Sequence, residues 1–379
     1  MPVVLVKKTM KFSTSKTELQ QALQKLNKAT PTRSTLPILT CVFIETKEEA
    51  TTLKTTDLEL TIEVEIPSST ERPGTTALPL KTLLDITNEL PETRITISVN
   101  ENNKATIKTD LGEYDQMARP AEEYPKTPEQ KEAKELVLPG NILKQIINSC
   151  VFAVSQDDLK PALTGVLLQI SQKGITAVAT DGHRLVRHIR SDYKSETDLK
   201  EVIVPKKFLA YLSGQISDKE IVFLFGKGHL SAKIERDVVI TRLINESFPN
   251  YESVIPTNNT KQLKTNKEDF LGAIKRVSIF SNKATHQVAL SLSDNSCKIT
   301  TEDPEKSSKA QENIIGVLQG DPIVIGYNAE YLKDIVSHVP GDELVIELNT
   351  PISAALFSSL QTQDSVETTM LLMPIRLND

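Results

Sequence analysis

Three amphipathic helical patterns recur along the chain at long, nearly equal intervals. The first covers residues 16–28, where apolar residues fall on one stripe at spacings of three, four and seven. The second begins at about Asn141, and the third begins near Asn266, a predicted N-cap with Asp269 three residues on. The apolar stripes are Leu19, Ala22, Leu23 and Leu26; Ile142, Leu143, Ile146, Ile147 and Cys150; and Phe270, Leu271, Ile274 and Val277.

A predicted strand pair follows each of these helices and ends in a threonine–aspartate element. Its acids are Asp57, Asp181 and Asp303, which are 124 and 122 residues apart. A shorter helix is predicted next in each repeat, from Pro79, Val204 and Tyr327, and the matching positions Leu80, Val204 and Tyr327 are 124 and 123 residues apart. The coincident spacings predict three domains built on one plan, because a period of this length is too long for a solenoid.

The segments between the helices read as alternating strands with turn signals, for example the hairpin around Gly226-Lys227-Gly228. A unit of two helices and about eight such strands belongs to the α+β class. We therefore predict three domains of this kind at residues 1–128, 129–257 and 258–379, with linkers near Glu122 to Glu135 and near Pro256 to Asn266.

Composition agrees with a globular protein, since 39% of the 379 residues are hydrophobic and 25% are charged. The apolar runs are strand-sized, and the first twelve residues do not resemble a secretory signal. Cys41, Cys150 and Cys297 are odd in number and far apart, which argues against a disulfide framework and fits a reducing cytoplasm.

The distribution of charge is more informative than its total. The net charge is −6, yet the six predicted helices together carry +5 and the rest of the chain −11. If the helices line one surface, that surface is basic and suits contact with DNA phosphates without reading the bases. The competing interpretation is that lysines on exposed helix faces serve only solubility.

Several short motifs resemble the bacterial DNA polymerase III beta subunit family over nearly the whole chain, from about Met10 to Leu377. They are Thr35-Leu36-Pro37-Ile38-Leu39, Thr180-Asp181-Gly182-His183-Arg184-Leu185, Phe248-Pro249-Asn250-Tyr251 and Met373-Pro374-Ile375-Arg376-Leu377. The resemblance implies a non-catalytic DNA sliding clamp without a cofactor: a head-to-tail homodimer whose six domains close a ring around duplex DNA. The first nine residues precede Met10-Lys11-Phe12, which resembles the usual family start, so either a short extension exists or translation begins at Met10.

The resemblance also implies a hydrophobic cleft that receives short peptides from the replicative polymerase, the clamp loader and repair proteins. This sequence departs from some members at Ala162 and Ser253, and Asn378 and Asp379 extend the usual end, so the peptide preference stays open. The matching positions are Leu163, Thr180, Gly182, His183, Arg184, Leu185, Pro249, Val254, Leu371, Leu372, Met373, Pro374, Ile375 and Arg376.

For DNA contact, the family positions map to Arg33, Asp157, Asn328 and Tyr331, and the nearby basic residues Lys160 and Lys283 are added from the sequence. Asp157 replaces a polar neutral residue of some relatives and would repel phosphate. The predicted dimer interface pairs the edge strand around Tyr114 with Ile279 and Phe280 of the other protomer. Complementary charge between Glu113 and either Lys306 or Lys309 is a further hypothesis for that interface.

Two other classes of function, an enzyme and a protein-interaction scaffold, share some of these sequence features. In an enzyme, His183 would act as a general base oriented by Asp181, but a lone Asp-Gly-His is common and no histidine has metal-ligand spacing with another. The turn Gly226-Lys227-Gly228 lacks the spacing of a phosphate-binding loop. The remaining alternative is a monomeric, β-rich scaffold for protein partners, which would share the cleft without the ring.

Overall fold

The computed structural model describes residues 9–128, 132–195, 198–360 and 364–377. All six predicted helices are present in this part of the chain. The first eight residues, as well as Asn378 and Asp379, lie outside it, so the hypotheses on them stay open. The helices are α1 (Lys16–Leu26), α2 (Leu80–Glu89), α3 (Gly140–Cys150), α4 (Lys206–Ser213), α5 (Lys267–Ser278) and α6 (Ala329–His338).

Helices α1, α5 and α6 begin where a side chain accepts hydrogen bonds from free backbone amides. Asn266 caps α5 as predicted, since its side chain accepts a hydrogen bond from the Asp269 amide at 3.0 Å. The predicted stripes of α1 and α3 are buried in full. In α5, however, Ala273 is buried and Leu271 is only half-buried, because Ala273 shares the helical face of Phe270 and Val277.

The strands of the first repeat pair in antiparallel fashion into two sheets. The strand order in the first sheet is β5-β1-β7-β8-β9. The strands β4-β3-β2-β6 form one half of the second sheet. The strands are β1 (Met10–Ser15), β2 (Cys41–Thr46), β3 (Ala50–Thr56), β4 (Leu60–Pro67), β5 (Ser69–Arg72), β6 (Gly74–Pro79), β7 (Arg94–Val99), β8 (Lys104–Lys108) and β9 (Glu113–Met117).

The strands of the second repeat divide between two sheets. Four of them, in the order β10-β15-β16-β17, extend the half-sheet that contains β4. The strand β17 pairs with β4, and Val238 lies opposite Glu63 in this pairing. The strands are β10 (Lys134–Pro139), β11 (Gly165–Ser171), β12 (Gly174–Thr180), β13 (Arg184–Arg190), β14 (Leu199–Pro205), β15 (Glu220–Phe225), β16 (His229–Ile234) and β17 (Asp237–Arg242).

The other four strands of the second repeat join those of the third in one sheet of twelve strands. Its order is β14-β11-β12-β13-β25-β24-β23-β18-β21-β20-β19-β22, and β13 and β25 form the seam. The strands of the third repeat are β18 (Lys261–Asn266), β19 (Gln287–Ser293), β20 (Ser296–Asp303), β21 (Ser308–Gln319), β22 (Ile323–Asn328), β23 (Glu343–Leu348), β24 (Ala355–Ser358) and β25 (Val366–Leu372).

Contacts along the chain divide the described residues into two compact units. The first contains residues up to 140 together with 211–243, and the second contains residues 141–210 together with those from 244 onward. The domain boundaries at 128 and 257 therefore stay a prediction. The predicted linkers are in part structured, because β10 and β18 lie at their ends.

The threonine–aspartate elements are structural turns in the first two repeats. Asp57 Oδ1 accepts hydrogen bonds from the amides of Glu59 and Leu60. Asp181 Oδ1 does the same for the amides of His183 and Arg184, at 2.9 and 3.0 Å. Such local capping explains the repeated residue types without any catalytic role.

The cysteines lie in the apolar core of the protein. All three cysteines are free and buried, and burial raises the pKa of the Cys150 and Cys297 thiols, which keeps them unreactive. None of the described helices has the length and apolar character required to cross a membrane.

Candidate functional site

A cavity of about 250 Å³ opens in the second compact unit, beside the turn that joins β12 to β13. It brings together most of the residues that the family resemblance predicts for the peptide cleft, and it adds Asn250 and Tyr251. The lining residues are Leu163, Thr180, Gly182, His183, Arg184, Leu185, Pro249, Asn250, Tyr251, Val254, Leu371 and Met373.

We call this cavity the groove. Its floor is formed by the seam between β13 and β25 of the twelve-stranded sheet. Leu185 of β13 lies opposite Leu371 of β25, and each side chain is 2% exposed. At the rim, Val254 is 52% and Met373 is 40% exposed. A buried aliphatic floor with accessible apolar side chains at its edge suits a ligand that inserts one or two apolar groups.

The turn between β12 and β13 fixes the position of His183. The Thr180 hydroxyl donates to the Arg184 carbonyl at 2.6 Å, and Asp181 caps the amides that follow it. Gly182 has a φ of +92°, in the left-handed region that favours glycine. The turn therefore presents the exposed His183 side chain at the groove with little freedom in the backbone.

Arg184 connects the groove to helix α6. Its side chain is only 8% exposed, and its Nε donates to Asp181 Oδ2 at 3.0 Å while Nη1 donates to Asp334 Oδ2 at 2.6 Å. Nη2 donates to the Phe152 carbonyl at 2.8 Å. Three of its nitrogens thus have partners, and the two carboxylates compensate its charge beneath an apolar surface.

Two aromatic rings contact the guanidinium of this arginine. The guanidinium carbon lies 4.8 Å from the ring centroid of Tyr331 and 5.3 Å from that of Phe152. His183 stacks on Tyr331 with centroids 5.6 Å apart. Burial, and then the Asp181 carboxylate, raise the pKa of the Tyr331 phenol. Tyr331, predicted to contact DNA, therefore also supports the wall of the groove.

Four predicted cleft residues do not line the cavity. Leu372 is fully buried in the sheet between Arg184 and Ala355. Pro374, Ile375 and Arg376 follow β25 and leave the groove. Conversely, sequence reasoning missed Asn250 and Tyr251, although both stand in the quoted motif next to Pro249.

The residues predicted to contact DNA differ in whether their side chains are free to reach a phosphate or are hydrogen-bonded within the chain. Arg33, Lys160 and Lys283 are exposed. Asn328 caps α6 instead, since its Oδ1 accepts from the Glu330 amide at 2.9 Å. Asp157 Oδ1 accepts from the Leu159 amide at 3.0 Å, which gives this carboxylate a structural role in its loop.

The predicted dimer interface residues are accessible, whereas the predicted interface charges have partners within the chain. Ile279 is 67% and Phe280 is 46% exposed, and Tyr114 is half-buried on β9. Within the chain, the pairs are Glu113 with Lys108 at 2.6 Å, Lys309 with Glu302 at 3.3 Å, and Lys306 with Asp303 at 3.8 Å.

The site lacks the arrangement that an enzyme with His183 as its base requires. Asp181 accepts from backbone amides and from Arg184, so it does not orient the imidazole. In the part of the chain that the structure describes, no three His, Cys, Asp or Glu side chains form a metal-binding group. Gly226-Lys227-Gly228 is a hairpin turn, with the Gly226 amide bonded to the His229 carbonyl.

A larger cavity of about 990 Å³ lies on another part of the second unit, and His188 of β13 is one of its lining residues. His188 is 3% exposed, and its Nδ1 lies 2.8 Å from the Thr368 hydroxyl. Burial, and then the charge of Arg190, lower the pKa of His188 to about 4. His188 is therefore neutral in the folded protein at pH 7.

This depressed pKa predicts a loss of stability in acid. The pKa of His188 in the folded protein lies below its value in the unfolded chain. The stability contributed by the neutral His188 ring is therefore complete above about pH 6.5 and is lost as the pH falls through about 4. By pH 4.5 the proton uptake lowers the free energy of unfolding by about 2–3 kcal/mol. Urea unfolding at pH 7 and pH 4.5 measures this. His188→Gln is expected to lose less stability than wild type over that interval. His229→Gln is expected to recover a smaller part of the loss, because burial also lowers the pKa of His229 but its side chain is less buried.

Three family profiles of the DNA polymerase III beta subunit match the chain over nearly its whole length. The profile of the N-terminal domain matches residues 10–128, that of the central domain 137–250, and that of the C-terminal domain 252–376. Among curated relatives, the beta sliding clamp of Vibrio cholerae is 26% identical, covering 97% of this chain and 100% of its own. That of Pseudomonas putida is 29% identical with the same coverage.

Solved structures agree with the profiles. The DNA polymerase sliding clamp of Bacillus subtilis superimposes with a TM-score of 0.91 at 26% identity, covering 97% of this chain and 100% of that protein. The sliding clamp of Bartonella birtlesii, solved with bound griselimycin, gives the same score, identity and coverage. The fold and the groove thus define a sliding clamp built from three clamp domains of the α+β class. More specifically, the chain belongs to the DNA polymerase III beta subunit family.

Proposed function

We propose that two copies of this protein join head to tail into a ring that encircles duplex DNA and holds a replicative polymerase on it. The observation that carries the proposal is the run of three clamp domains over nearly the whole chain. A closed ring stays on DNA because it is threaded, so it needs no tight grip and no catalytic group. Its place of action is the bacterial cytoplasm, where the replicated DNA is.

The groove is the docking site for partners in this proposal. Its aliphatic floor and exposed Met373 favour a short peptide with apolar anchors, supplied by the polymerase, the clamp loader and repair proteins. We further propose that griselimycin, which is bound in the structure of a relative, occupies the same groove here. The neutralised Arg184 supports this proposal, because an uncharged ligand then leaves no buried charge without a partner.

Contact with DNA is proposed to be weak and directed at the phosphates. The exposed cations Arg33, Lys160 and Lys283 can approach phosphates without reading bases, which permits sliding. Asn328 is less available because it caps α6, and Tyr331 is held between His183 and Arg184. Asp157 would oppose phosphate locally.

Two incomplete sheet edges support the proposed dimer. In the described residues, β9 is the last strand of its sheet. The strand β21 pairs with β18 only from Gly316 to Gln319, so residues 308–315 pair on one side alone. Arg276 of α5 binds Glu312 of that stretch at 2.7 Å, which brings the end of α5, and hence Ile279 and Phe280, near the open edge. Pairing of β9 with the partner's β21 would cover both edges and the two apolar side chains.

Topological attachment is the property that tests this function. After loading by a clamp loader, the protein is expected to remain on nicked circular DNA and to slip off the ends once the same DNA is linearised. Gel filtration of the two samples measures the bound fraction. Equal loss from both forms would contradict encirclement.

Solution mass separates this function from the monomeric scaffold. A scaffold would elute as a monomer of 42.0 kDa, whereas the proposed clamp is expected at twice that mass. Multi-angle light scattering across a range of concentrations makes the measurement independent of shape.

A further inference from the structure

The C-terminal segment after β25 is attached to the fold at two backbone positions. The amide of Met373 donates to the His183 carbonyl at 2.9 Å, on the wall of the groove. The amide of Ile375 donates to the Gly326 carbonyl of β22, also at 2.9 Å. Pro374 lies between these attachments and favours an extended backbone at Met373. The orientation of Met373, a groove residue, thus depends on where the segment crosses β22.

Gly326 lies directly beneath this crossing. A Cβ atom built on Gly326 would lie 2.6 Å from Leu377 Cδ2, 2.9 Å from Leu377 Cγ and 2.8 Å from the Ile375 carbonyl oxygen. Each of these distances is shorter than real Cβ contacts. The carbonyl belongs to the backbone and cannot rotate away, so any larger residue must displace the segment.

The crossing segment is the nearest obstacle to a side chain at this position. The three nearest atoms all belong to residues 375 and 377, and the φ of Gly326 is not in the left-handed region. Gly326 pairs with Ala289 of β19, and backbone hydrogen bonds there do not depend on the side chain. The first contacts that a side chain at this position would meet are therefore with the crossing segment.

We infer that Gly326 is a positioning residue for the peptide groove: its missing side chain lets residues 375–377 dock on β22, and this docking holds Met373 in the wall. The inference rests on the proposed function of the groove, and it assigns a role in ligand binding to a residue that does not line it. A bulkier residue at this position is expected to loosen the wall without unfolding the sheet.

Substitution of Gly326 tests this directly, with griselimycin as the probe and isothermal titration calorimetry as the measurement. We expect Gly326→Val to raise the Kd ~10-fold or more and Gly326→Ala to raise it by a smaller factor, because rim contacts are lost in part. Gly228→Ala is the matched control, since a Cβ at Gly228 meets nothing within 4 Å. It is expected to leave the Kd unchanged.

Hydrogen exchange separates positioning from general damage. In Gly326→Val the amides of Met373 and Ile375 are expected to lose protection, whereas those of β19 keep it. The inference would be overturned if the wild-type protein binds griselimycin and Gly326→Val shows the same Kd and the same amide protection. That outcome would leave the proposed function standing. Loss of protection throughout β19 would also overturn the inference, because Gly326 would then be required by the sheet itself. A wild-type protein that binds no griselimycin would contradict the groove assignment instead.

Discussion

Replacing Arg184 with methionine is expected to lower the free energy of unfolding by about 3 kcal/mol, the lower end for breaking a buried ion pair. The variant leaves Asp181, whose side chain is 12% exposed, without its charged partner. Asp334 is 50% exposed and can be solvated, which limits the loss. The cation–π contacts of Arg184 with Phe152 and Tyr331 are lost as well. Because Arg184 also lines the groove, griselimycin binding is expected to weaken ~10-fold.

Arg187 provides the control on the same strand. It forms an ion pair with Glu367 at 2.6 Å, but the two side chains are 23% and 62% exposed. Arg187→Met is therefore expected to change stability by about 1 kcal/mol or less. Arg184→Lys keeps the charge but loses the forked geometry, so an intermediate effect is expected. Urea unfolding and calorimetry measure both quantities, and equal effects of Arg184→Met and Arg187→Met would contradict the central role assigned to Arg184.

Local patterns in the sequence predict the helices, and the family resemblance predicts most of the groove. The stripe from Leu19 to Leu26 follows the 3.6-residue period that its burial requires, and Asn266 has the residue type and spacing of a cap. The groove residues come from the family motifs, whose turn chemistry at Asp181 and Gly182 is local. Such features depend on neighbours within a few positions, so a single sequence contains the information.

Features that depend on distant residues are not visible in the sequence. The pairing of β17 with β4 joins two repeats in one sheet, and no local pattern specifies which edges meet. The cation–π contacts of Phe152 and Tyr331 with Arg184 depend on a loop and a helix that the fold brings together. For the same reason the motif at Met373 to Arg376 predicted four neighbouring groove residues, although only Met373 lines the cavity and the following residues dock on β22.

Replacing both Ile279 and Phe280 with aspartate is expected to convert the proposed dimer into a monomer of 42.0 kDa. Each apolar side chain that an interface buries contributes about 1.5–3 kcal/mol, so losing both weakens association ~100-fold or more. The added carboxylates would also have to be desolvated beside the partner's β9, which carries Glu113 and Asp115.

Ile352 is a suitable control for this variant because it is 68% exposed, close to the 67% of Ile279. Ile352→Asp lies outside both open edges and is expected to leave the dimer intact. Light scattering gives the mass, and retention on nicked circles gives the consequence: a protein that cannot close a ring is expected to be lost from circular and linear DNA alike. Griselimycin binding should survive, since the groove lies within one protomer. A double variant that still runs as a dimer and stays on circles would show that the ring closes through a different surface.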